Sequence, residues 1–317
     1  MTTIDIAMMS DSDDSQHVYM YKNVTFDPHI VPRGNLTEVE RFNVRQDDIF
    51  IASYPRSGTH WLTEMVLLIM ADGDVSKVNR RTMDQVFEMT LPIDPSRPLR
   101  AGYKAVEEWP VGEPRVVLTH LPAELLPLQL WQQKGAKVVY IARNVLDVLA
   151  SQYQHLSAIN LLPPATKDWP KFIQFKLSDK DTYSGRNWFS HVTSYWRRRS
   201  SNEKLLFLKY EDIKTDHRKA VRDIAEFLQR PLAAEQIDRV VELTTFDGMM
   251  KTYQQIEAED PSKIFRTRAL SVEPFLKKGI VGNWKGKYSD EQLATIKKKV
   301  VEHCGSLGLH FEFETKL

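Results

Sequence analysis

The chain has 317 residues, of which 42% are hydrophobic and 27% are charged, fractions that argue against a disordered, fibrous or membrane-embedded protein. Lys and Arg number 43 against 42 Asp and Glu, so the net charge is only +1. No global field therefore favours nucleic acid or an anionic membrane, and any basic site must be local.

The cysteine content and the N-terminus indicate the compartment. Cys304 is the only cysteine, which excludes an intramolecular disulfide and a zinc site built on two cysteines. The first 30 residues contain five Asp and one Lys without an apolar core, unlike a signal peptide. The most apolar stretch, 61–71, is shorter than the roughly 20 residues of a membrane helix. We expect a cytoplasmic protein in which residues 1–40 are an acidic, mobile extension and residues 41–317 form one domain.

Short apolar runs rich in β-branched residues predict buried parallel strands at 48–54, 115–119, 137–143 and 204–210. Apolar residues at three- and four-residue spacing predict helices at 61–71, 123–133, 145–158, 187–199, 217–229, 234–244 and 290–303. Prolines predict surface loops at 92–98, 110–114 and 163–170. Strands that alternate with helices indicate βαβ units, so we expect an α/β fold: a single domain with a central parallel sheet flanked by helices.

The first candidate site follows the first of these strands, where the sequence reads YPRSGTHW (54–61). A turn of small residues before a helix can bind an anion, because the first helical N–H groups have no intrahelical partner. Gly58 permits close approach of the backbone, and Arg56 adds a bidentate cation. The spacing of the nucleotide-kinase P-loop is missing. The alternative is that Ser57 and Thr59 only cap the helix.

Two further segments could bind anions. Arg143 closes the strand at 137–143, with Ser151 about two helical turns later, although a closing arginine is often only a solvated residue. Residues 263–287 contain seven Lys or Arg against one Glu, and within them 277–285 interleaves Lys with Gly and one Trp. That pattern is typical of a loop closing over a polyanion, and the alternatives are a solvated charge run or a nucleic-acid patch.

His120 ends the strand at 115–119 and is expected at the same edge of the sheet. An imidazole can accept a proton near neutral pH, whereas a lone histidine is often structural. No Gly-x-Ser-x-Gly elbow, His-Glu-x-x-His helix or two-cysteine cluster occurs in the sequence, which weakens serine-hydrolase and zinc-enzyme interpretations.

Five motifs together resemble the cytosolic sulfotransferase family in order and spacing: YPRSGTHW (54–61), THLP (119–122), RNVLDVLAS (143–151), YED (210–212) and KKGIVGNWK (277–285). The resemblance covers about residues 47–285, and individually only the first and last motifs are specific. It implies a P-loop-like phosphosulfate-binding loop on a single α/β domain. It also implies transfer of the sulfuryl group of 3'-phosphoadenosine 5'-phosphosulfate (PAPS) to a hydroxyl or amine of a small, largely apolar phenol, alcohol or amine, without a metal.

The resemblance also implies a role for individual residues. Those that match positions holding the phosphosulfate are Arg56, Ser57, Gly58, Thr59 and His60. Those that match positions holding the 3'-phosphate are Arg143, Ser151, Lys277, Lys278 and Gly279. Trp61 and Phe246 match the adenine sandwich, and Tyr210 and Thr244 match positions lining the nucleotide site. His120 matches the catalytic base, with Arg56 as the second catalytic residue.

The sequence departs from the family pattern in three places. Arg56 replaces a usual lysine, and Leu118 stands where many phenol-type members have lysine two residues before the catalytic histidine. The family dimerisation pattern has no match after Trp284, so dimerisation by that route is doubtful.

Two alternatives stay open at this point. One is a non-catalytic binding protein that keeps the nucleotide fold, and the other is an ATP-dependent kinase, which the missing Walker spacing disfavours. The loops expected to line the acceptor pocket, 87–98, 155–167 and 253–273, suggest only that it is partly apolar.

Overall fold

A computed structural model gives the structure of the protein and describes residues 18–80, 83, 85–91, 100–132, 135–158, 162, 166–178, 185–259 and 279–313. The strands are β1 Tyr19–Tyr21, β2 Val24–Phe26, β3 Ile49–Ser53, β4 Thr90–Leu91, β5 Arg100–Ala101, β6 Val116–Thr119, β7 Lys137–Ala142 and β8 Leu205–Lys209. The helices are α1 Arg33–Arg41, α2 Thr59–Met70, α3 Gly102–Glu107, α4 Leu128–Gln132, α5 Val145–Ala158, α6 Trp169–Lys176, α7 Trp188–Arg199, α8 Tyr210–Thr215, α9 His217–Phe227, α10 Ala234–Leu243, α11 Phe246–Glu259 and α12 Asp290–Cys304.

A parallel sheet of four strands, in the order β6-β3-β7-β8, forms the centre of the fold. In its register Ile51 of β3 lies opposite Leu118 of β6 and Val139 of β7. All five residues of β3 are buried, as a strand covered on both faces requires. The predicted central sheet is therefore confirmed.

Two apolar layers cover the sheet. On one face α2 packs with α9 and α10 in a cluster that includes Leu62, Ile224 and Val240. On the other face α5, α7 and α12 contribute Leu149, Val192 and Ile296 to a second cluster. Helices on both faces leave the carboxyl edge of the sheet open, which is where ligands bind in such folds.

The predicted helices are largely confirmed. The bounds of α5 match the prediction of 145–158. The prediction at 123–133 is divided, because a short 3₁₀ turn at Ala123–Leu125 ends before Pro127 and α4 begins after it. Part of the predicted loop at 163–170 belongs to α6, whose first turn is capped by Asp168 accepting from the Lys171 N–H at 2.9 Å.

The predicted mobile extension at 1–40 is corrected for its described part. Residues 18–40 contain the β1–β2 hairpin and most of α1. Tyr19, Phe26 and Leu36 are buried in the cluster on the α5 and α7 face. The aspartates that made the segment look mobile lie mostly within residues 1–17, which are outside the described residues. The prediction relied on charge and missed the short apolar segments that follow.

A buried ion pair joins the starts of two neighbouring strands. Arg115, before β6, donates from Nε to Asp48 Oδ1 at 2.6 Å and from a terminal nitrogen to Oδ2 at 2.5 Å. The same Asp48 oxygen accepts from the Arg45 N–H at 2.8 Å, and Arg115 also donates to the Asn43 carbonyl at 2.9 Å. Since both side chains are buried, the pair depends on these additional hydrogen bonds.

Replacing Asp48 by Asn should lower the free energy of unfolding by about 3–5 kcal/mol, because Arg115 would keep its buried charge without a carboxylate. Urea denaturation measures the change. Asp47→Asn, at the exposed neighbour, should alter stability by less than about 0.5 kcal/mol. Equal stabilities of the two variants would contradict the role of the pair.

Candidate active site

The loop at 54–58 turns from β3 into α2 through residues with left-handed backbone angles. Arg56 has a φ of 72° and Gly58 a φ of 106°. A Cβ atom at Gly58 would lie 2.9 Å from Cδ2 of Tyr210 and 3.2 Å from Cδ1 of Ile141. Both the backbone angle and this close approach explain why glycine occupies the position. The turn delivers the chain directly to the N-terminus of α2.

The N-terminus of α2 is suited to an anion. Its N-cap residue is Gly58, which has no side chain to accept from the first helical N–H groups. Thr59 Oγ1 instead lies 2.6 Å from Ser53 Oγ. The Ser57 hydroxyl is buried, and within the described part of the chain it has no hydrogen-bond partner. The structure therefore does not support the alternative in which Ser57 and Thr59 only cap the helix, and the open N–H groups favour an anion.

Arg56 connects this loop to α5. Its Nε donates to Ser151 Oγ at 3.3 Å. This contact brings together two segments that are 95 residues apart in the chain. The sequence motifs at 54–61 and 143–151 are thus neighbours in space.

His120 lies at the end of β6 with one defined tautomer. Its Nδ1 donates to the Ser53 carbonyl at 2.8 Å, and Ser53 Oγ is 3.3 Å from the same nitrogen. Because a neutral imidazole carries one proton, Nε2 keeps its lone pair and can accept a proton. The geometry of the site therefore fits His120 as a general base.

Glu88 and His191 hold the backbone around His120. The buried Glu88 carboxylate accepts from the His120 N–H at 2.9 Å and from Thr119 Oγ1 at 2.8 Å. His191 Nε2, on α7, donates to the His120 carbonyl at 2.9 Å, and its Nδ1 accepts from Tyr140 Oη at 3.0 Å. Sequence reasoning missed both residues. The available signal in the sequence was that Glu88 is a single acidic residue within the otherwise apolar run Val86–Met89.

Burial sets the protonation states of this cluster. It lowers the pKa of His120 to about 4, against the raising effect of the Ser53 hydrogen bond and with a further lowering by the charge of Arg56. Burial also raises the pKa of Glu88 to about 7, which its hydrogen bonds from the His120 N–H and Thr119 oppose. His120 is consequently neutral at physiological pH, as a general base requires.

Arg143 follows β7 and reaches the C-terminal loop. Its guanidinium carbon lies 4.4 Å from the centre of the Tyr210 ring, and a terminal nitrogen donates to the Ile280 carbonyl at 3.1 Å. Tyr210 Oη donates to the Gly279 carbonyl at 2.7 Å. Arg143 Nε is buried without a hydrogen-bond partner in the described part of the chain. A buried guanidinium nitrogen without a partner indicates a missing acceptor at this point.

Asp147 fixes the C-terminal loop against α5, and sequence reasoning missed this role. Its carboxylate accepts from the Gly282 N–H at 2.9 Å and from the Trp284 N–H at 3.0 Å. Asn144 donates to the same carboxylate at 2.9 Å, and Glu211 in turn accepts from the Asn144 backbone and side chain. An acid between Leu146 and Val148 in a buried helix was the signal for such a role.

Trp61 in α2 forms an aromatic platform beside Tyr210. The two ring centres are 5.1 Å apart at 62°. Trp61 Nε1 donates to the Thr244 carbonyl at 2.7 Å, which links α2 to the end of α10. Phe246 begins α11 two residues after Thr244 and is half-buried.

The structure does not cover every predicted site residue. Lys277 and Lys278 lie outside the described residues, as does most of the basic segment 263–287, whereas Gly279 is described. The acceptor-loop ranges 87–98, 155–167 and 253–273 are described only in part. Phe87 is buried in the core, with its ring edge-on to Phe42 at 4.8 Å.

Neither a membrane-spanning helix nor a metal-binding cluster is found among the described residues. Among them, no helix combines the length and the apolar character needed to cross a bilayer. No group of three or more His, Cys, Asp or Glu side chains in this part of the chain is arranged to hold a metal ion.

The chain is similar to known proteins over most of its length. Residues 46–308 match the sulfotransferase domain family. Mouse sulfotransferase 1E1 is 34% identical over 267 residues, which cover 84% of this chain and 85% of the relative. Dog sulfotransferase 1B1 is 34% identical over 291 residues, which cover 90% of this chain and 92% of the relative.

The chain belongs to the sulfotransferase family. Two solved structures have the same fold. The mouse sulfotransferase SULT7A1 complexed with PAP aligns with a TM-score of 0.68 at 26% identity, over 90% of this chain and 94% of that one. A retinol dehydratase in complex with retinol and PAP aligns with a TM-score of 0.75 at 25% identity, over 91% and 89%.

Two departures from the family pattern can be located in this sulfotransferase. Arg56 occupies the left-handed position of the loop and donates to Ser151. Leu118 is buried in the apolar layer beneath α2, beside Ile51 of the neighbouring strand. A charged side chain at Leu118 would have to displace apolar packing there.

The imidazole of His120 should titrate with a midpoint near pH 4 instead of the ordinary 6.5. The folded pKa is the lower one, so this histidine's contribution to stability is present above pH 6.5 and is lost as the pH falls towards 4. NMR titration of ring protons, assigned with His120→Asn, measures the midpoint. Arg56→Gln should raise it by removing a nearby positive charge. A wild-type midpoint at 6.5 would show that the ring is not desolvated.

Proposed function

We propose that this sulfotransferase moves the sulfuryl group of PAPS to a hydroxyl or amine of a small, largely apolar acceptor, with His120 as the general base. The observation that carries the proposal is the defined tautomer of His120, which leaves a lone pair on Nε2 of a ring whose pKa the charge of Arg56 helps to lower. The PAP in the solved structures of two relatives supports the nucleotide, because PAP is what PAPS becomes after it donates its sulfuryl group.

The described residues fit the anionic groups of PAPS. Ser57 Oγ and Arg143 Nε are buried polar atoms without partners in the described part of the chain, and the N-terminus of α2, which has no side-chain cap, begins two residues after Ser57. The residues proposed to hold the phosphosulfate are Arg56, Ser57, Gly58, Thr59 and His60. Those proposed to hold the 3'-phosphate are Arg143, Ser151, Lys277, Lys278 and Gly279. The proposed contacts of the adenosine part are Trp61, Tyr210, Thr244 and Phe246.

His120 removes the proton of the acceptor in this proposal. PAPS supplies the sulfuryl group, and adenosine 3',5'-bisphosphate leaves with the electron pair of the broken S–O bond. As the acceptor oxygen or nitrogen bonds to sulfur, His120 Nε2 takes its proton. The imidazolium that forms keeps its Nδ1–H bond to the Ser53 carbonyl.

Arg56 and the N-terminus of α2 stabilise the negative charge that develops on the departing phosphate. Because arginine stays protonated while burial keeps His120 neutral, the site holds a fixed cation and a free base side by side. Glu88 and His191 act as positioning residues, since they hold the backbone of His120.

The acceptor is a small molecule, and the relatives indicate its general chemical class. The retinol dehydratase structure contains retinol, an apolar alcohol. We propose that the acceptor of this chain is likewise a small alcohol, phenol or amine. The cytoplasmic location, the absence of nucleic-acid partners and the doubtful dimerisation remain predictions from the sequence.

The protein, incubated with PAPS and pooled phenols, catecholamines, aliphatic and steroid alcohols and arylamines, should yield a sulfated product detectable by mass spectrometry. His120→Ala should lower kcat about 100-fold or more, since general-base catalysis contributes roughly 10²–10⁴. PAP affinity, measured by calorimetry, should stay nearly unchanged.

The exposed His310 provides a matched control, and His310→Ala should keep full activity. Near-normal turnover of His120→Ala would exclude His120 as the base. A blank panel despite PAP binding would instead favour the non-catalytic alternative. In that case Arg56→Lys, which restores the family's usual residue, tests whether turnover was lost at this position.

Arg143→Ala should weaken PAP binding by roughly 10- to 150-fold, because it removes a charge-assisted contact of about 1.5–3 kcal/mol. Calorimetry with the purified variant gives the affinity, and thermal unfolding checks that the fold is kept. The exposed Arg239 on α10 serves as the control, and Arg239→Ala should change PAP affinity less than about twofold. Unchanged affinity in Arg143→Ala would remove this residue from the nucleotide site.

A further inference from the structure

Gln152 on α5 is a buried amide without a partner. Its residue is 1% exposed, and neither Oε1 nor Nε2 has a hydrogen-bond partner within the described part of the chain. A carboxamide can donate two hydrogen bonds and accept two, and buried polar groups in folded proteins are almost always paired. The polypeptide therefore leaves a donor and an acceptor open at this point.

Gln152 lies on α5 between the side of the helix that faces the loop of Arg56 and the side that packs into the apolar layer. One side of the helix faces the phosphosulfate loop, because Ser151 Oγ accepts from Arg56 there. His155 lies on the same side and has an electrostatic effect that lowers the pKa of His60, although burial, Arg56 and His120 lower that pKa more strongly. The other side carries Leu149 and Leu156 into the apolar layer. At about 100° per residue, Gln152 falls between His155 and Leu156.

The same apolar layer reaches the catalytic histidine. Leu121 follows His120 directly and belongs to this cluster, as does Tyr195, whose hydroxyl donates to the Leu121 carbonyl at 2.7 Å. Under the proposed function, an acceptor whose hydroxyl reaches His120 would lie next to this apolar layer. Gln152 supplies a polar group among them.

Two other unpartnered atoms near the site are the ones proposed to meet the nucleotide, whereas a third, Glu211 Oε2, belongs to a carboxylate that accepts from Asn144. Ser57 Oγ lies in the phosphosulfate loop, and Arg143 Nε lies beside Tyr210. Gln152 faces away from Arg143, because Arg143 pairs with Asp147 and Gln152 lies about 140° around α5 from Asp147. The open amide is thus left for a second ligand.

We infer that Gln152 determines acceptor specificity: its carboxamide hydrogen-bonds a second polar substituent on an otherwise apolar acceptor. The inference rests on the proposed function. Since the amide offers both a donor and an acceptor, a hydroxyl satisfies it best, because a hydroxyl can also do both. The substrate class is accordingly a compact apolar skeleton with one hydroxyl to be sulfated and another to be bound, such as a diol or dihydroxyarene.

The test compares β-naphthol with the isomeric dihydroxynaphthalenes, which keep the skeleton and add one hydroxyl. Wild-type protein should show a kcat/KM at least about tenfold higher for the best isomer than for β-naphthol. Gln152→Met keeps the length of the side chain without its polar atoms, and it should remove that preference while leaving β-naphthol within about threefold. PAP affinity should not change.

Leu149→Met is the matched control, since it alters a buried residue on the apolar side of the same helix. It should affect β-naphthol and the dihydroxynaphthalenes equally and so keep their ratio. Binding of the best isomer to the PAP-loaded protein, measured by calorimetry, adds a readout that does not depend on turnover. Gln152→Met should weaken this binding about tenfold.

Three results would overturn the inference. The first is that Gln152→Met keeps the wild-type preference for the dihydroxynaphthalene over β-naphthol. The second is that Gln152→Met lowers kcat/KM equally for all acceptors and also lowers the melting temperature. The third is that Gln152→Met loses PAP affinity, which would assign Gln152 to the nucleotide site. Failure of the proposed function gives a different result in the same experiments. In that case wild type binds the dihydroxynaphthalene through Gln152 but forms no sulfated product.

Discussion

The parallel pairing of β3 with β6 on one side and β7 on the other is the constraint on which the site depends. Because the three strands run in the same direction, they end at one edge of the sheet, and each end carries a different functional group. The loop with Arg56 follows β3, His120 follows β6 and Arg143 follows β7. The hydrogen bond from His120 to the Ser53 carbonyl then joins two of these ends directly and fixes the tautomer.

Anion binding and base catalysis place opposite electrostatic requirements on this edge of the sheet. An anion requires fixed positive charge, whereas a general base must be unprotonated. Arginine keeps its proton under nearly all conditions, and its charge makes protonation of a neighbouring imidazole less favourable. Together with burial, Arg56 therefore favours the neutral form of His120. In the proposed mechanism, the residue that attracts the anion therefore also helps to keep the base unprotonated.

Much of this could be predicted from the sequence, and the limits have physical causes. The strand runs and the YPRSGTHW segment are local patterns, so they revealed the sheet and led to the proposed anion loop. Asp147 and Glu88 could not be assigned in the same way, because their partners lie 135 and 32 residues away in the chain. The hairpin at 19–26 was missed since its strands contain three residues each, too few to show a period.

The unpartnered atoms at this edge belong to one pattern of preorganisation. Ser57, Arg143 and Gln152 are all buried, and each leaves polar atoms unsatisfied within the described part of the chain. Such groups destabilise the protein alone, and the surrounding sheet and its two apolar layers must compensate. A ligand that satisfies them gains these hydrogen bonds without ordering the side chains first, so the cost has already been met by folding. If the proposed function holds, the site selects molecules whose polar groups match the positions that the fold leaves open.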